Sequence, residues 1–360
     1  MIRHISIILI LTFFTSCNMN DNIPSAKKIK KELIVHDDIR IDNYYWLNDK
    51  NDTNVINYLN DENTFTQKTL KNTEDLQEIL FDEMKSRIKE DDMSVPYFFN
   101  EYWYIKRFEK GKDYPIYTRK HKSLNNDEEL LLDVNKLALK HAYYNVGSIS
   151  VSPNNRILAY SFDTLSRRLY SIKFFDLKTK KHFKETIKNT TGSITWANDN
   201  KTIFYSKKED KTLRVNKIYR HQLNSDIKND ILIFEEKDEH FSTGIYKTKS
   251  QEYLIIASRS TLTSEMRFLN ANTPNEEFQL FTKREKNHEY SINHFDNNFY
   301  ILTNSQNSKN FRVMRCSVKD TSISSWEEII PHRKEILIED IELFDEYFVI
   351  AEREKGLVKF

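Results

Sequence analysis

Two histidines in this 360-residue sequence, His288 and His294, are of the residue type that binds metal ions. They lie in the segment HEYSINH, and their spacing differs from the HExxH pair that presents two imidazoles on one helix face. No cysteine or carboxylate cluster in the sequence around them completes a set of three or four ligands. The sequence therefore predicts no metal site.

Two pairs of adjacent acids, Asp91-Asp92 and Glu235-Glu236, are candidates for a general acid and a general base. Such a pair works only when two different environments move the pKa values of the carboxyl groups apart. Nothing in the flanking sequence does this, and adjacent acids at turns and strand ends are mostly solvated. We predict that none of the four is catalytic.

Glycine is scarce, with only Gly111, Gly147, Gly192, Gly244 and Gly356 in the whole chain. The nucleophile elbow of α/β-hydrolases, GxSxG, needs two glycines four positions apart, and no two glycines here are that close. The dinucleotide-binding fingerprint and the phosphate-binding P-loop also need closely spaced glycines, so neither motif is present. The spacing of the glycines therefore predicts that these 360 residues contain no catalytic nucleophile of this kind and bind no cofactor.

The charge balance excludes a dedicated nucleic-acid binder. The 55 Lys and Arg residues face 54 Asp and Glu residues, which leaves a net charge of +1. Proteins that bind nucleic acid normally carry a basic excess. No nucleic-acid partner is expected.

The first 17 residues have the pattern of a bacterial lipoprotein signal peptide. A cationic start precedes an apolar run, residues 5–14, that is too short to span a bilayer comfortably. The segment FTSC (14–17) resembles a lipobox with Cys17 as the lipidated residue, although Phe14 stands where Leu is common. We predict an exported, membrane-anchored lipoprotein at the periplasmic face or the cell surface, with ordinary secretion as the alternative. Cys316 then remains as a lone thiol, which we expect to face the core.

The rest of the chain divides into three predicted regions. Residues 18–36 are polar and Lys-rich and are interpreted as a tether, and residues 37–92 as an N-terminal helical segment, with helix from 54 to 89. Residues 93–360 read as short strands separated by Asn, Asp and Lys turns. The predicted strands are 102–108, 115–121, 156–162, 170–177, 202–208, 216–223, 252–259, 265–270, 299–305, 311–317 and 347–354.

A turn-and-strand unit repeats along residues 93–360. Several units open with turns such as SPNN (152–155) and ANDN (197–200), in which Asn can adopt the left-handed conformation that glycine would otherwise supply. The units recur about every 45–50 residues, the period of four-stranded propeller blades. A long β-sandwich does not predict this period. We therefore expect a mainly β chain, a β-propeller preceded by N-terminal α-helices.

Many segments of the chain, in order, resemble oligopeptidase B of the prolyl oligopeptidase family of serine peptidases. The resemblance covers about residues 36–354, with glycines of several family turns replaced by Asn, Ser or Lys. The segments are RIDNYYWLND (40–49), YLNDEN (58–63), MKSRIKEDDMSVP (84–96), FEKGKDYPIYTRK (108–120), LLDVNKLA (131–138), SVSPNNRILAYSFDT (150–164), WANDNKTIFY (196–205), TLRVNKIYRHQL (212–223), EEKDEHF (235–241), TSEMRFL (263–269), NHEYSINH (287–294) and ILTNSQNSKNFRV (301–313).

The resemblance implies a seven-bladed propeller that covers an α/β-hydrolase catalytic domain and filters its substrates by size. Members of this subtype cleave short peptides after Lys or Arg, and their catalytic residues lie in the C-terminal portion. That portion has no counterpart in these 360 residues, so we expect a truncated propeller, an absent catalytic domain and no activity of this chain alone. The implied partners are short Lys- or Arg-containing peptides and the catalytic domain.

Arg167 and Arg168, in SFDTLSRRLY, are the candidate residues for an interface with that catalytic domain. The alternative is a solvated hairpin in which Asp163 pairs locally, an interaction that contributes little to stability. A function of a different class also stays open. It is a lipid-anchored propeller without catalysis that binds a peptide or protein partner at its tunnel mouth.

Overall fold

The structure, a computed structural model, describes residues 23–360, which fall into two units. Unit 1 extends to Lys89, and unit 2 comprises Glu90–Phe360. This boundary lies three residues before the predicted one at 92/93. Cys17 and the predicted signal peptide (1–17) lie outside the described residues. None of the helices among residues 23–360 is long and apolar enough to cross a membrane.

Unit 1 contains an antiparallel hairpin of strands β1 (Lys31–Val35) and β2 (Asp38–Asp42). The turn residues His36 and Asp37 both have positive φ angles, 52° and 62°, as a two-residue hairpin turn requires. The predicted tether, 18–36, therefore differs from the structure, because its last residues form a strand.

Two α-helices follow in unit 1, α1 (Thr53–Leu70) and α2 (Glu74–Ser86). The side chain of Asp52 caps α1 by accepting a hydrogen bond from the backbone N–H of Asn54 at 2.8 Å. The helix predicted over 54–89 is thus confirmed, with an interruption between its two parts. Short 3-10 helices in the described chain are Tyr45–Asn48, Lys71–Thr73, Ile227–Asn229 and Ile323–Ser325.

Unit 2 consists of six antiparallel sheets, here called blades 1 to 6 in chain order, and a short helix, α3 (Val134–Ala138), between blades 1 and 2. Five blades have four strands and blade 6 has three, each paired in chain order. The strands of blades 1 to 3 are β3 (Tyr97–Phe99), β4 (Tyr102–Arg107), β5 (Ile116–His121), β6 (Glu128–Asp133), β7 (Asn145–Val151), β8 (Ile157–Asp163), β9 (Tyr170–Asp176), β10 (Lys181–Thr190), β11 (Thr195–Trp196), β12 (Thr202–Lys208), β13 (Val215–Gln222) and β14 (Ile231–Glu235). Those of blades 4 to 6 are β15 (Ser242–Lys247), β16 (Tyr253–Arg259), β17 (Ser264–Asn270), β18 (Gln279–Leu280), β19 (Tyr290–Phe295), β20 (Asn298–Thr303), β21 (Arg312–Ser317), β22 (Glu327–Ile330), β23 (Ile336–Leu343), β24 (Phe348–Glu354) and β25 (Leu357–Lys359).

The blades repeat at nearly constant length. Their first strands begin at intervals of 46 to 50 residues, which confirms the predicted repeat and the mainly β propeller. The predicted strands correspond to the second and third strands of blades 1 to 5 and the second strand of blade 6. The SPNN turn (152–155) joins β7 to β8, so it lies inside a blade's first hairpin.

Neighbouring blades are held together by apolar clusters at their junctions. Strand β8 shows the pattern: Leu158 and Tyr160 pack in the cluster between blades 1 and 2, whereas Ile157 and Ala159 pack in the cluster between blades 2 and 3. Leu158, Ala159 and Tyr160 have almost no exposed surface, and Ile157 keeps only a small exposed fraction. Cys316 is buried in the cluster between blades 4 and 5, as predicted, and burial raises its thiol pKa to about 12.

The turns between first and second strands use left-handed residues other than glycine. Asn155, Asn200 and Gln251 occupy the last turn position in blades 2, 3 and 4, with φ angles of 61°, 61° and 64°. Asparagine adopts this conformation more easily than most side chains because its amide bonds the nearby backbone. The predicted left-handed conformation of asparagine in the SPNN and ANDN turns is confirmed.

Two of the five glycines are required by one tyrosine. A Cβ atom on Gly147 would stand 2.6 Å from Tyr170 Cε1, and one on Gly192 would stand 2.9 Å from Tyr170 Cγ. Gly192 also has a φ of +92°, a conformation that other residues rarely adopt. The ring therefore has no room for a side chain at either position.

We predict that Gly192→Ala lowers the free energy of unfolding by about 1–3 kcal/mol, because the added methyl group overpacks Tyr170 and strains the backbone. Urea unfolding followed by tryptophan fluorescence measures this. Gly244→Ala is the matched control, since a Cβ atom at Gly244 meets nothing within 4 Å. Equal stabilities of the two variants would contradict the prediction.

Candidate functional site

The first strands of the blades surround the candidate site, a space that we call the tunnel. Strands β3, β7, β11 and β15 contribute residues to a cavity of about 640 Å³. Strands β15, β19 and β23 border a second cavity of about 410 Å³. Tyr246 on β15 lines both cavities, so the two cavities adjoin at this side chain, and we use the word tunnel for both.

The tunnel wall combines hydroxyl groups with aromatic rings. Ser148 and Ser150 on β7 alternate with their neighbours and face the larger cavity, together with Thr195 and Trp196 on β11. This composition differs from that of the second strands β8 and β16, in which most residues are apolar and buried. A wall of this kind suits polar chains such as peptides.

Side chains on the tunnel wall tie blades 2, 3, 4 and 5 to one another in series. Trp196 Nε1 donates a hydrogen bond to the carbonyl oxygen of Ser150 at 3.2 Å, which joins blade 3 to blade 2. The Thr195 hydroxyl donates to the carbonyl of Ile245 at 3.2 Å and joins blade 3 to blade 4. The Tyr246 hydroxyl donates to the carbonyl of Ile292, also at 3.2 Å, and joins blade 4 to blade 5. These bonds fix the relative positions of the first strands.

Lys247, the last residue of β15, carries a positive charge into the larger cavity. Its Nζ donates a hydrogen bond to Asn198 Oδ1 on blade 3 at 2.8 Å. Burial lowers the pKa of Lys247 to about 8, and the negative charge of Asp199 offsets only part of this effect. Sequence reasoning missed this residue, because a lysine next to a turn normally signals only exposure.

The predicted interface residues, Arg167 and Arg168, lie in an exposed loop between β8 and β9. The Asp163 carboxylate accepts hydrogen bonds from the backbone N–H groups of Leu165 at 2.8 Å and Arg168 at 2.7 Å. Lys208 Nζ donates to the carbonyl of Arg168 at 3.0 Å from the neighbouring blade. Asp163 therefore makes local contacts, as the solvated-hairpin alternative predicts, but its partners are backbone N–H groups and not a charged side chain. The two guanidinium groups have no ion-pair partner among the described residues.

This loop lies at the end of the blades where the chain enters unit 2. The backbone N–H of Phe108 donates to the carbonyl of Asp92 at 2.7 Å, and that of Ser94 donates to the carbonyl of Lys106 at 2.8 Å. The entering segment therefore runs beside the end of β4. Because every blade has the same strand order, the β8–β9 loop occupies the same end of blade 2.

The two candidate histidines are buried separately in the core. His288 Nε2 shares a hydrogen bond with Thr303 Oγ1 at 2.9 Å, and His294 Nδ1 shares one with Ser250 Oγ at 2.9 Å. Burial lowers the pKa of both imidazoles. Within residues 23–360, no group of three or more His, Cys, Asp or Glu side chains is arranged to hold a metal ion.

One acid of the candidate pair Glu235-Glu236 is buried, which corrects the expectation that both are solvated. Glu236 accepts a hydrogen bond from Arg284 Nη2 at 2.6 Å, and the Arg284 guanidinium stacks 3.6 Å from the ring centre of Phe241. Burial alone would raise the pKa of Glu236, but the bond from Arg284 and others hold it below its usual value. Glu236 therefore belongs to a structural ion pair, which spacing along the sequence did not reveal.

The comparison with family models finds a match over almost the whole chain. It is the family described as "Prolyl oligopeptidase, N-terminal beta-propeller domain", matched over residues 24–359. Among curated proteins, the chain is 36% identical over 349 residues to dipeptidyl aminopeptidase BI from Pseudoxanthomonas mexicana, covering 92% of this chain and 48% of that protein. It is 32% identical over 344 residues to Protease 2 from Moraxella lacunata, covering 94% and 49%. The chain spans about half the length of these relatives.

Solved structures of oligopeptidase B contain the same fold in about half of their length. Oligopeptidase B from Leishmania major aligns with a TM-score of 0.88 and 29% identity, over 93% of this chain and 50% of that one. Oligopeptidase B from Trypanosoma brucei, in a closed form with covalently bound antipain, aligns with a TM-score of 0.85 and 28% identity over the same shares.

Proposed function

The chain belongs to the prolyl oligopeptidase family, and on this premise we propose that it is the propeller portion of a serine oligopeptidase that cleaves short peptides after Lys or Arg. The propeller acts in this proposal as a filter that admits peptides and excludes folded proteins. The supporting observation is the tunnel, whose first strands are tied blade to blade by the Trp196, Thr195 and Tyr246 hydrogen bonds. A wall held in this way resists widening.

In this proposal the nucleophile belongs to a catalytic portion that corresponds to the half of the relatives this chain does not match. The sequence contains no GxSxG segment, whereas a serine peptidase of this kind needs a serine, a histidine base and an orienting aspartate. Cleavage after Lys or Arg follows the resemblance to oligopeptidase B. The relative named as a dipeptidyl aminopeptidase supports a different specificity, removal of dipeptides from an amino terminus.

We further propose that the β8–β9 loop, residues 164–169, contacts the catalytic portion. The backbone of the loop is held by Asp163 and Lys208, yet the exposed guanidinium groups of Arg167 and Arg168 have no ion-pair partner among the described residues. It also lies where the chain enters unit 2. A rigid loop with two unpaired guanidinium groups suits a surface that carries carboxylates.

We also propose that the protein is exported and anchored by a lipid at Cys17. The sequence pattern of residues 1–17 is the basis for this part of the proposal. This places the peptidase at a membrane, at the periplasmic face or the cell surface. The second candidate function, a non-catalytic anchored propeller that binds a peptide or protein, is supported by the charged cavity around Lys247.

The proposed activity predicts that the protein, isolated from its own cells with an antibody against unit 2, cleaves an amino-terminally blocked reporter peptide after Arg or Lys. The same protein should react with a fluorophosphonate and leave that peptide bond intact within a folded protein. An otherwise identical reporter with Ala at the cleavage position is the control. Cleavage only of a reporter with a free amino terminus would instead indicate dipeptide removal. Absence of both turnover and fluorophosphonate labelling would leave the binding function.

The proposed interface predicts that the double variant Arg167→Glu with Arg168→Glu lowers kcat/KM of that peptidase by about tenfold. The two new carboxylates would repel the carboxylates of the catalytic portion that the arginines are proposed to contact. Lys184→Glu with Lys188→Glu is the charge-matched control, since both lysines are exposed on the outer strand β10 of the same blade. The thermal midpoint of each variant checks folding. Equal activity of the two double variants would refute the interface.

The anchor predicts that Cys17→Ser abolishes incorporation of radiolabelled palmitate and moves the protein from the membrane fraction to the soluble fraction. Acyl chains bind membranes with about 0.8 kcal/mol per buried methylene, so their loss releases the protein. Cys316→Ser is the matched control and should keep the label. An unlabelled, secreted wild-type protein would indicate ordinary secretion instead.

A further inference from the structure

The larger cavity of the tunnel lies where the first strands turn into the second strands. Pro153, Asn198 and Gln251, all from these turns, border it, and the hydroxyl-bearing parts of β7 and β11 form its wall. Its volume of about 640 Å³ falls within the range of roughly 300–1,000 Å³ that is typical of pockets for small ligands. The cavity therefore has room for the end of a short peptide.

The ammonium group of Lys247 is a cation without an anion in this cavity. Among the described residues no carboxylate lies within 4 Å of it, and its one hydrogen bond goes to the neutral amide oxygen of Asn198. An ammonium group has three donors, so two remain for a ligand. Burying a charge without a counterion is unfavourable, and an anion that enters the cavity removes this penalty.

The carboxylate of Asp199, whose charge acts on Lys247, is already engaged elsewhere. Asp199 accepts hydrogen bonds from the backbone N–H groups of Lys201 at 3.0 Å and Thr202 at 2.8 Å, and from the Thr202 hydroxyl at 2.6 Å. Its oxygens therefore stabilise their own turn. They act on Lys247 only through space.

The position of the ammonium group is fixed by its amide partner. Asn198 Nδ2 donates to the carbonyl of Gln251 at 2.9 Å and to Asn272 Oδ1 at 3.0 Å. These two bonds set the orientation of the amide and point Oδ1 toward Lys247. The cation is therefore held at a defined place on the wall, as a binding site requires.

We propose that this cavity, the lysine pocket, binds the C-terminal carboxylate of a short peptide, with Lys247 as its ionic partner. A single lysine with neutral hydroxyl and amide neighbours matches one carboxylate, whereas phosphate sites usually add a guanidinium fork or a helix N-terminus. The peptide chain then lies along the polar wall of β7 and β11. The proposal rests on the tunnel as a path for peptides and requires no catalysis.

Two labelled peptides test the lysine pocket. Both are tetra-alanines with a dye on the amino terminus, one with a free C-terminal carboxylate and the other with a C-terminal amide. Neither contains Lys or Arg, so the proposed peptidase does not cleave them. Fluorescence anisotropy with the purified protein gives their Kd values, and we expect the acid to bind about tenfold to a hundredfold more tightly than the amide.

Variants of Lys247 assign this preference to the residue. Lys247→Met, which removes the charge at similar length, should abolish the preference for the acid, and Lys247→Arg should retain most of it. Lys201→Met is the matched control, because Lys201 is exposed in the turn of blade 3 and does not line the cavity. A thermal melt of each variant verifies folding.

The pH dependence supplies a second readout. The pKa of Lys247 is about 8, so the free pocket loses its positive charge as the pH rises through that value, and the acid should bind more weakly. Asp199 and Tyr246, the titratable neighbours, keep their charge states between pH 7 and 9, since the pKa of Asp199 is lowered and burial raises that of Tyr246 to about 12. The Lys247→Arg variant stays charged and should show no such decline.

The outcomes separate this proposal from the proposed function. Three results would overturn the lysine pocket: equal binding of acid and amide, no binding of either peptide, or an unchanged preference for the acid in Lys247→Met. None of these results bears on the peptidase, which the reporter assay tests separately. Inorganic phosphate that displaces the acid at equal concentration would show a general anion site and also overturn the choice of carboxylate. Acid-selective binding in a protein without turnover would support the pocket alone.

Discussion

Blades 2 to 5 of unit 2 each bury both of their faces, and this constraint governs the rest of the structure. A sheet in the middle of the series can do so only between two other sheets. Its second strand therefore sends alternate side chains to two different clusters, as Leu254 and Ile256 pack toward blade 3 while Ile255 and Ala257 pack toward blade 5. Burial of one such side chain contributes about 1.5–3 kcal/mol. The stacking that results brings the first strands together around the tunnel.

The same constraint explains which strands the sequence predicts. Second strands such as β16 (YLIIASR) are apolar on both faces, so they stand out as continuous runs. First strands such as β7 and β15 face the tunnel and carry serine, threonine or lysine, and outermost strands such as β6 and β14 are partly exposed. Thus β7 (NVGSISV) was not recognisable, and neither were the two-residue strands β11 and β18. The repeat length still predicted the fold, because it depends only on the strongest strands.

The side chains of the site were harder to predict because their partners come from other blades. Lys247 meets Asn198 across 49 positions of sequence, and Glu236 meets Arg284 across 48. Separations near one repeat length place residues at similar heights on neighbouring blades, but many residues share that separation. Asp163 was identified as a local partner, and it is one, although it binds backbone N–H groups that no charge pattern reveals. Arg167 and Arg168 remain predicted interface residues.

The scarcity of glycine has a structural consequence at the turns that border the tunnel. Asn100, Asn155 and Asn200 adopt positive φ angles that glycine would take more easily. Each also bonds across a blade junction. Asn100 Nδ2 donates to the carbonyl of Pro153 at 2.7 Å, Asn155 Nδ2 donates to the carbonyl of Asn100 at 3.0 Å, and Asn200 Oδ1 accepts from the backbone N–H of Asn154 at 2.7 Å.

A glycine at these turns would satisfy the backbone but would provide none of these bonds. The asparagines therefore compensate for part of their conformational cost by joining blades 1, 2 and 3 at the end of the tunnel. Asn198 extends this set of contacts to blade 4 through the carbonyl of Gln251. The turns that close the hairpins thus also determine where the lysine pocket lies and how its cation is held. In this propeller, two residues that take a left-handed conformation in place of glycine, Asn100 and Gln251, also line the larger cavity.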